Sequence, residues 1–129
     1  MYSVKPTSYG FKIVFEGMIK LQEMSNWYMD SIKILKVNTR KPFEMMVDMS
    51  QMGPLFQDTK TELEKGQELF RRMGMRRSAV IVPSRMVAKQ LKDVAAGSKI
   101  AATERYISVE EKDAEAKAMA WLISAKEPV

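Results

Sequence analysis

The last third of the chain constrains the fold most, because strand and helix signals alternate there in a tight order. Ser78-Ala79-Val80-Ile81-Val82 is an apolar run closed by Pro83, and a helical stretch follows from Ser84 to about Ala96. Glu104-Arg105-Tyr106-Ile107-Ser108-Val109 then alternates polar and apolar residues, as a strand does. Ser108-Val109-Glu110-Glu111 has the form of a capping box and predicts a last helix opening there, with Ala114, Ala118, Trp121 and Leu122 on one face. That face predicts a buried Trp121. Two strands joined by a helical crossover pair in parallel, so the pattern points to an open α/β sheet.

The first half extends the same alternation. Phe11, Ile13 and Phe15 recur at period two in a strand ending at Gly17, and Tyr2 to Lys5 reads as its partner across a Pro6–Gly10 turn. Leu21, Met24, Tyr28, Ile32 and Leu35 fall at spacings of three and four, which predicts a helix from Lys20 to Val37 with that face inward. Phe43 to Met49 is almost continuously apolar, as a strand covered on both faces is. Thr59-Lys60-Thr61-Glu62 reads as a capping box for a second helix, with Leu63, Gly66, Phe70 and Met73 on one face and Gly74 just past its end. Gly66 in mid-helix costs about 1 kcal/mol relative to alanine, so close packing on the sheet is expected there. The sum is one domain over residues 1–129: a single mixed, mainly parallel sheet of about five strands with about four helices.

Composition removes several chemistries. Among 129 residues there is no cysteine and no histidine, so disulfides, thiol catalysis and the commonest general base and metal ligand are absent. No run approaches the roughly 18 apolar residues of a membrane span, and the first residues lack the pattern of a signal peptide, so a cytoplasmic protein is expected. The net charge of +5 is uneven: residues 1–64 hold 8 basic and 8 acidic side chains, residues 65–105 hold 10 and 3, and residues 106–129 hold 3 and 5. The positive excess therefore belongs to the middle of the second half.

Three stretches in this order carry a resemblance. Phe15-Glu16-Gly17 ends a strand in glycine before the first helix. Met46-Val47-Asp48-Met49-Ser50 ends the central strand. Ala79–Val82 through Arg105-Tyr106-Ile107 closes on Ala118-Met119-Ala120-Trp121-Leu122. Together they resemble the STAS domain, the fold of sulphate transporter C-termini and anti-sigma-factor antagonists, and most of all its stand-alone SpoIIAA-like proteins. The resemblance implies binding by a surface rather than chemistry in a cleft. In the antagonist branch, phosphorylation of a serine in an Asp-Ser pair at the start of the second helix breaks partner binding. The counterpart here is Asp58-Thr59, with Ser50 at the end of the central strand as a second candidate. This chain has Lys60-Thr61 where that branch has glycine, and the preceding loop is about two residues longer.

The remaining candidates form a basic face. Arg71, Arg72, Arg76 and Arg77 crowd one turn, and Arg85, Lys89 and Lys92 recur at i, i+4, i+7 opposite Val87, Leu91 and Val94. An apolar stripe facing the sheet leaves the basic stripe in solvent. The two sets are expected to meet at one sheet edge and attract a protein with an acidic surface. A membrane periphery and a second copy of the chain are the other partners left open. Nucleic acid is disfavoured, since the aromatics fall at core positions. Met45, Met46, Met49 and Met52 fit core filling, with a pocket for an apolar, lipid-like ligand as the alternative. Asp48, Asp58 and Glu62 are the only carboxylates near strand ends, and no nucleophile–base pair, phosphate loop or metal spacing accompanies them. The expectation is a non-catalytic regulatory or protein-interaction module with no cofactor, no catalytic residue and no metal. A small carrier or sensor of an apolar ligand is the alternative.

Overall fold

A computed structural model describes residues 1–96 and 99–129, apart from the side chain of Val94. The chain runs β1 (Tyr2–Pro6), β2 (Gly10–Gly17), α1 (Leu21–Val37), β3 (Phe43–Met52), α2 (Gln57–Arg72), β4 (Met75–Val82), α3 (Arg85–Ala95), a 3₁₀ turn (Lys99–Ala102), β5 (Glu104–Ser108) and α4 (Ala114–Ser124). The strands form one sheet in sequence order. β1 is antiparallel to β2, and β2, β3, β4 and β5 are mutually parallel. The predicted sheet is therefore the observed one, with every parallel pair bridged by a helix.

The two faces are filled unequally. Phe11, Ile13 and Phe15 of β2, Phe43, Met45, Val47 and Met49 of β3, and Val80 and Val82 of β4 pack against α1 and α2, with Val87 and Leu91 of α3 at the margin. The third member of the α3 stripe, Val94, has its side chain outside the described residues. The opposite face is covered by α4, through Ala118, Trp121 and Leu122 on Met46, Ala79, Ile81 and Ile107, with Tyr9 of the β1–β2 turn in the same cluster. Trp121 is 5% exposed, and its indole N–H donates to the Ser78 carbonyl at 3.1 Å. Met45, Met46 and Met49 are all buried, on opposite faces of β3, so they fill two separate cores rather than line one pocket.

Three local expectations change. The buried face of α1 is Met24, Trp27, Ser31 and Leu35, while Leu21 is exposed. The stripe is turned by one position because Trp27 offers the largest apolar area to bury. Trp27 also explains Gly66. A Cβ there would lie 2.1 Å from the indole, so the glycine admits α1 rather than the sheet. The indole sits 5.4 Å from Phe15 and stacks at 6.1 Å on Phe70, joining α1, α2 and β2.

Neither capping box forms. α2 starts at Gln57 behind Phe56, which makes no side-chain cap, so Thr59 lies inside the first turn. α4 starts at Ala114, behind Asp113 in a left-handed conformation (φ 60°). Ser108 closes a turn instead: its hydroxyl accepts from Glu110 N–H at 3.0 Å and its carbonyl from Glu111 N–H at 3.1 Å. Ser and Thr oxygens serve turns and caps by the same local bond, so the sequence pattern alone does not separate the two. Ser84 does cap α3, accepting from Val87 N–H at 3.2 Å.

Candidate functional site

The carboxyl ends of β2, β3, β4 and β5 lie at one end of the sheet, and their loops meet there. Ligand and partner sites of open α/β sheets favour this end, because every strand delivers a loop to it. The loops are short, so the side chains that leave them have little room to fold back. Phe56, in the extended residue before α2, is 66% exposed, and Met86, in the first turn of α3, is 71% exposed. Met18 and Leu21 after β2, and Val109 after β5, are exposed as well. Five large apolar side chains thus stand out of one end of the sheet. Scattered singly they would mean little, but here they gather on adjacent loops at one end of the sheet.

The expected switch residues are placed at this end and are spoken for. Ser50 donates its hydroxyl (2.7 Å) and its N–H (2.9 Å) to Asp48 Oδ1. Asp58 Oδ1 accepts the Thr59 N–H at 2.7 Å and the Thr59 hydroxyl at 3.3 Å. Thr59 is 1% exposed, so a phosphoryl group could reach it only if the first turn of α2 opened. The exposed hydroxyl of that turn is Thr61, which donates to the Gln57 carbonyl at 3.0 Å. No hydrogen bond links the Ser50 pair to the Thr59 pair among the described residues.

The basic face divides. The Arg71–Arg77 set is not one turn: Arg71 and Arg72 end α2, while Arg76 and Arg77 are the second and third residues of β4. Each has a partner. Arg71 holds Glu68 in a two-pronged contact at 2.8 and 2.6 Å, and Arg72 approaches the same carboxylate at 4.0 Å. Arg76 grips Glu44, and Arg77 donates its backbone N–H to Glu44 Oε2 at 2.8 Å. The Arg77 guanidinium crosses to α4 and donates to the Leu122 carbonyl at 2.8 Å. On α3 the picture reverses. Arg85, Lys89 and Lys92 are exposed, and none forms an ion pair among the described residues. The two sets do not converge as expected: one opens β4, and the other begins beyond its far end. Glu110 Oε1 accepts the backbone N–H of Arg85 at 2.9 Å, which ties the β5–α4 loop to the start of the stripe.

Two clefts lie elsewhere. One of about 260 Å³ runs along β1 beside Asp30, Lys33 and Ile34 of α1, and one of about 150 Å³ lies at the opposite end of the sheet between Tyr9, Arg40, Arg76 and Ile123. Among the described residues no helix is long and apolar enough to cross a membrane, and no three His, Cys, Asp or Glu side chains group as metal ligands.

No family model matches the chain, and no curated protein matches it in sequence. In structure it is similar to an uncharacterized protein of the DUF3478 family with a SpoIIAA-like fold, from Shewanella loihica PV-4. That match has a TM-score of 0.63 at 12% identity and covers 95% of this chain and 92% of the other. The chain has the SpoIIAA-like fold. Within the SpoIIAA-like frame, what the sequence did not reveal is the apolar set at the strand ends. Met18, Phe56 and Met86 each follow a Gly or Pro break closely, but Ile19 and Leu55 follow the same breaks and enter the core, so no local signal singles out the exposed ones.

Proposed function

We propose that this chain is a non-catalytic regulatory module that captures another protein at the carboxyl end of its sheet. The observation that carries the reading is the cluster of exposed apolar side chains, Met18, Leu21, Phe56, Met86 and Val109, at the end where the exposed cation row of α3 begins. The apolar group supplies contact area, and methionine adapts its shape to a partner. Arg85, Lys89 and Lys92 supply a field that speeds encounter with an acidic rim. The partner is thus a protein with an apolar patch bordered by Asp and Glu. A cytoplasmic setting goes with this reading, as the lack of cysteine fits a reducing compartment.

The test is capture of partners from the native cell by wild-type protein and by a Phe56→Ser, Met86→Ser double variant. The variant keeps its melting temperature, since both side chains are exposed, and loses the partner. Equal capture by the variant would reject this surface. Native mass spectrometry on the same preparation decides the competing reading, because a co-purified lipid would replace the interaction module with an apolar-ligand carrier.

A further inference from the structure

At the amino end of the parallel strands, guanidinium groups outnumber the carboxylates that meet them. The cleft of about 150 Å³ there is lined by Arg40, Arg76 and Glu44, with Tyr9, Pro42 and Ile123 as an apolar wall. Among the described residues Glu44 is the only carboxylate in that lining. It answers two cations: Arg76 grips it, and the Arg77 guanidinium stands 3.6 Å from it. Arg40 forms no ion pair among the described residues. Three positive charges thus meet one negative charge, an excess of two. The Glu44 side chain is 5% exposed and that of Arg76 is 53% exposed, so a molecule arriving from solvent meets guanidinium before carboxylate.

The groups are held in place. The Arg40 guanidinium donates to the Ser8 carbonyl. The Asn38 amide clamps the Arg40 backbone, donating to its carbonyl at 3.0 Å and accepting from its N–H at 3.4 Å. The Glu44 N–H donates to the Tyr9 carbonyl at 2.9 Å, which seats the β1–β2 turn on the start of β3. That approach needs Gly10, where a Cβ would overlap the Glu44 carbonyl. The end of α4 opposes an anion, since a helix C-terminus carries about half a negative charge, and Leu122 and Ile123 bring it to the cleft. Half a charge does not offset an excess of two, and the Leu122 carbonyl is already taken by Arg77 at 2.8 Å.

We infer that this cleft binds a small phosphate monoester. The dianion matches the excess of two charges. Arg40 uses one nitrogen on Ser8, and Arg76 uses Nε and Nη2 on Glu44, so each keeps N–H groups to donate. Guanidinium planes present those donors in the paired geometry that phosphate oxygens accept. The volume is well below that of a pocket for a drug-sized ligand, so the organic part must be small. Tyr9, Pro42 and Ile123 give that part apolar contact.

Phenyl phosphate titrated into the labelled full chain and followed by NMR tests this. The backbone amides of Ser8, Tyr9, Arg40 and Ile123 should shift along one saturating curve. Binding should strengthen as pH rises through roughly 6, where a monoester gains its second charge. Phenyl sulfate, with the same ring and one charge, should bind at least about tenfold more weakly. Inorganic phosphate should compete at the same amides. Arg40→Ala removes an exposed cation and should weaken phenyl phosphate binding by about tenfold or more. Ile123→Asp places a negative charge at the exposed rim and should weaken it without removing a guanidinium, so the test stands even if one variant does not fold. Shifts that never saturate, shifts centred on Arg85 and Lys89, equal binding of the sulfate, or a folded variant that binds like wild type would each overturn the inference. The cleft lies at the opposite end of the sheet from Phe56 and Met86, so loss of partner capture leaves this result unaffected.

Discussion

Arg71, Arg72, Arg76 and Arg77 all end on carboxylates, whereas the side chains of Arg85, Lys89 and Lys92, one strand further along the chain, form no ion pair among the described residues. In the sequence the first set looks the stronger binding patch, with four arginines in seven residues. In the structure it is the less available one. Glu44 is buried in β3, and a buried carboxylate requires partners. β4 delivers Arg76 and Arg77 to it, and Arg77 goes on to fasten the end of α4. The first set holds three elements together. The side chains of the second set form no ion pair among the described residues, which leaves them available to a partner. Density of charge thus says less about binding than the location of the nearest opposite charge.

The largest expected effect separates the sets on the structural side. Glu44→Ala should destabilise the fold by about 3 kcal/mol, because removing one member of a buried ion pair strands the other. Arg77 would be left half-buried with only the Leu122 carbonyl. Denaturant unfolding measures this. A loss under about 1 kcal/mol would place the first set with ordinary surface pairs and remove the contrast.

A middle effect comes from a second buried carboxylate, Glu104, which pairs with no cation among the described residues. Its oxygens accept the hydroxyls of Ser78 at 2.8 Å and Tyr106 at 2.5 Å. Burial pushes its pKa up, and the two hydroxyl bonds only partly oppose the rise. A raised folded-state pKa means that the folded protein holds this proton more tightly than the unfolded chain. The associated stability is full below the unfolded carboxylate pKa and is lost as pH climbs through the folded value. Glu104→Gln carries no charge to bury. Its melting temperature relative to wild type should therefore rise from acid to neutral pH, even if the amide fits less well. A difference that is flat with pH would mean that the hydroxyls fully compensate the burial.

What was legible follows from the range of each interaction. Strand and helix periods, with Pro83, Gly17 and Gly74 as punctuation, are local, and they carried the order of elements and the burial of Trp121. The seat of Trp27 against Gly66 is a contact between two helices, and no local period encodes it. Glu44 was legible in principle, as an acid between Phe43 and Met45 at the start of a strand expected to be covered on both faces, where it calls for a cation. The partner's position in β4 depends on sheet register, which the sequence leaves open. The same limit hid the apolar loop cluster, since Met18, Phe56 and Met86 are brought to one end only by parallel pairing.

The smallest effect on folding should accompany the clearest effect on binding. Arg85→Glu with Lys89→Glu reverses two exposed charges that form no ion pair among the described residues, so stability should change by no more than about 0.5 kcal/mol. The stripe faces away from Val87 and Leu91, so the core should not register the change. Partner capture should weaken, and most at low ionic strength, where the screening length exceeds the spacing of the stripe. If the field acts mainly on encounter, the association rate falls while dissociation barely changes. Addition of salt should then bring wild type and variant together. Capture that survives the reversal at low salt would show that α3 is only a solvated face, and would leave the apolar cluster around Phe56 and Met86 as the whole binding surface.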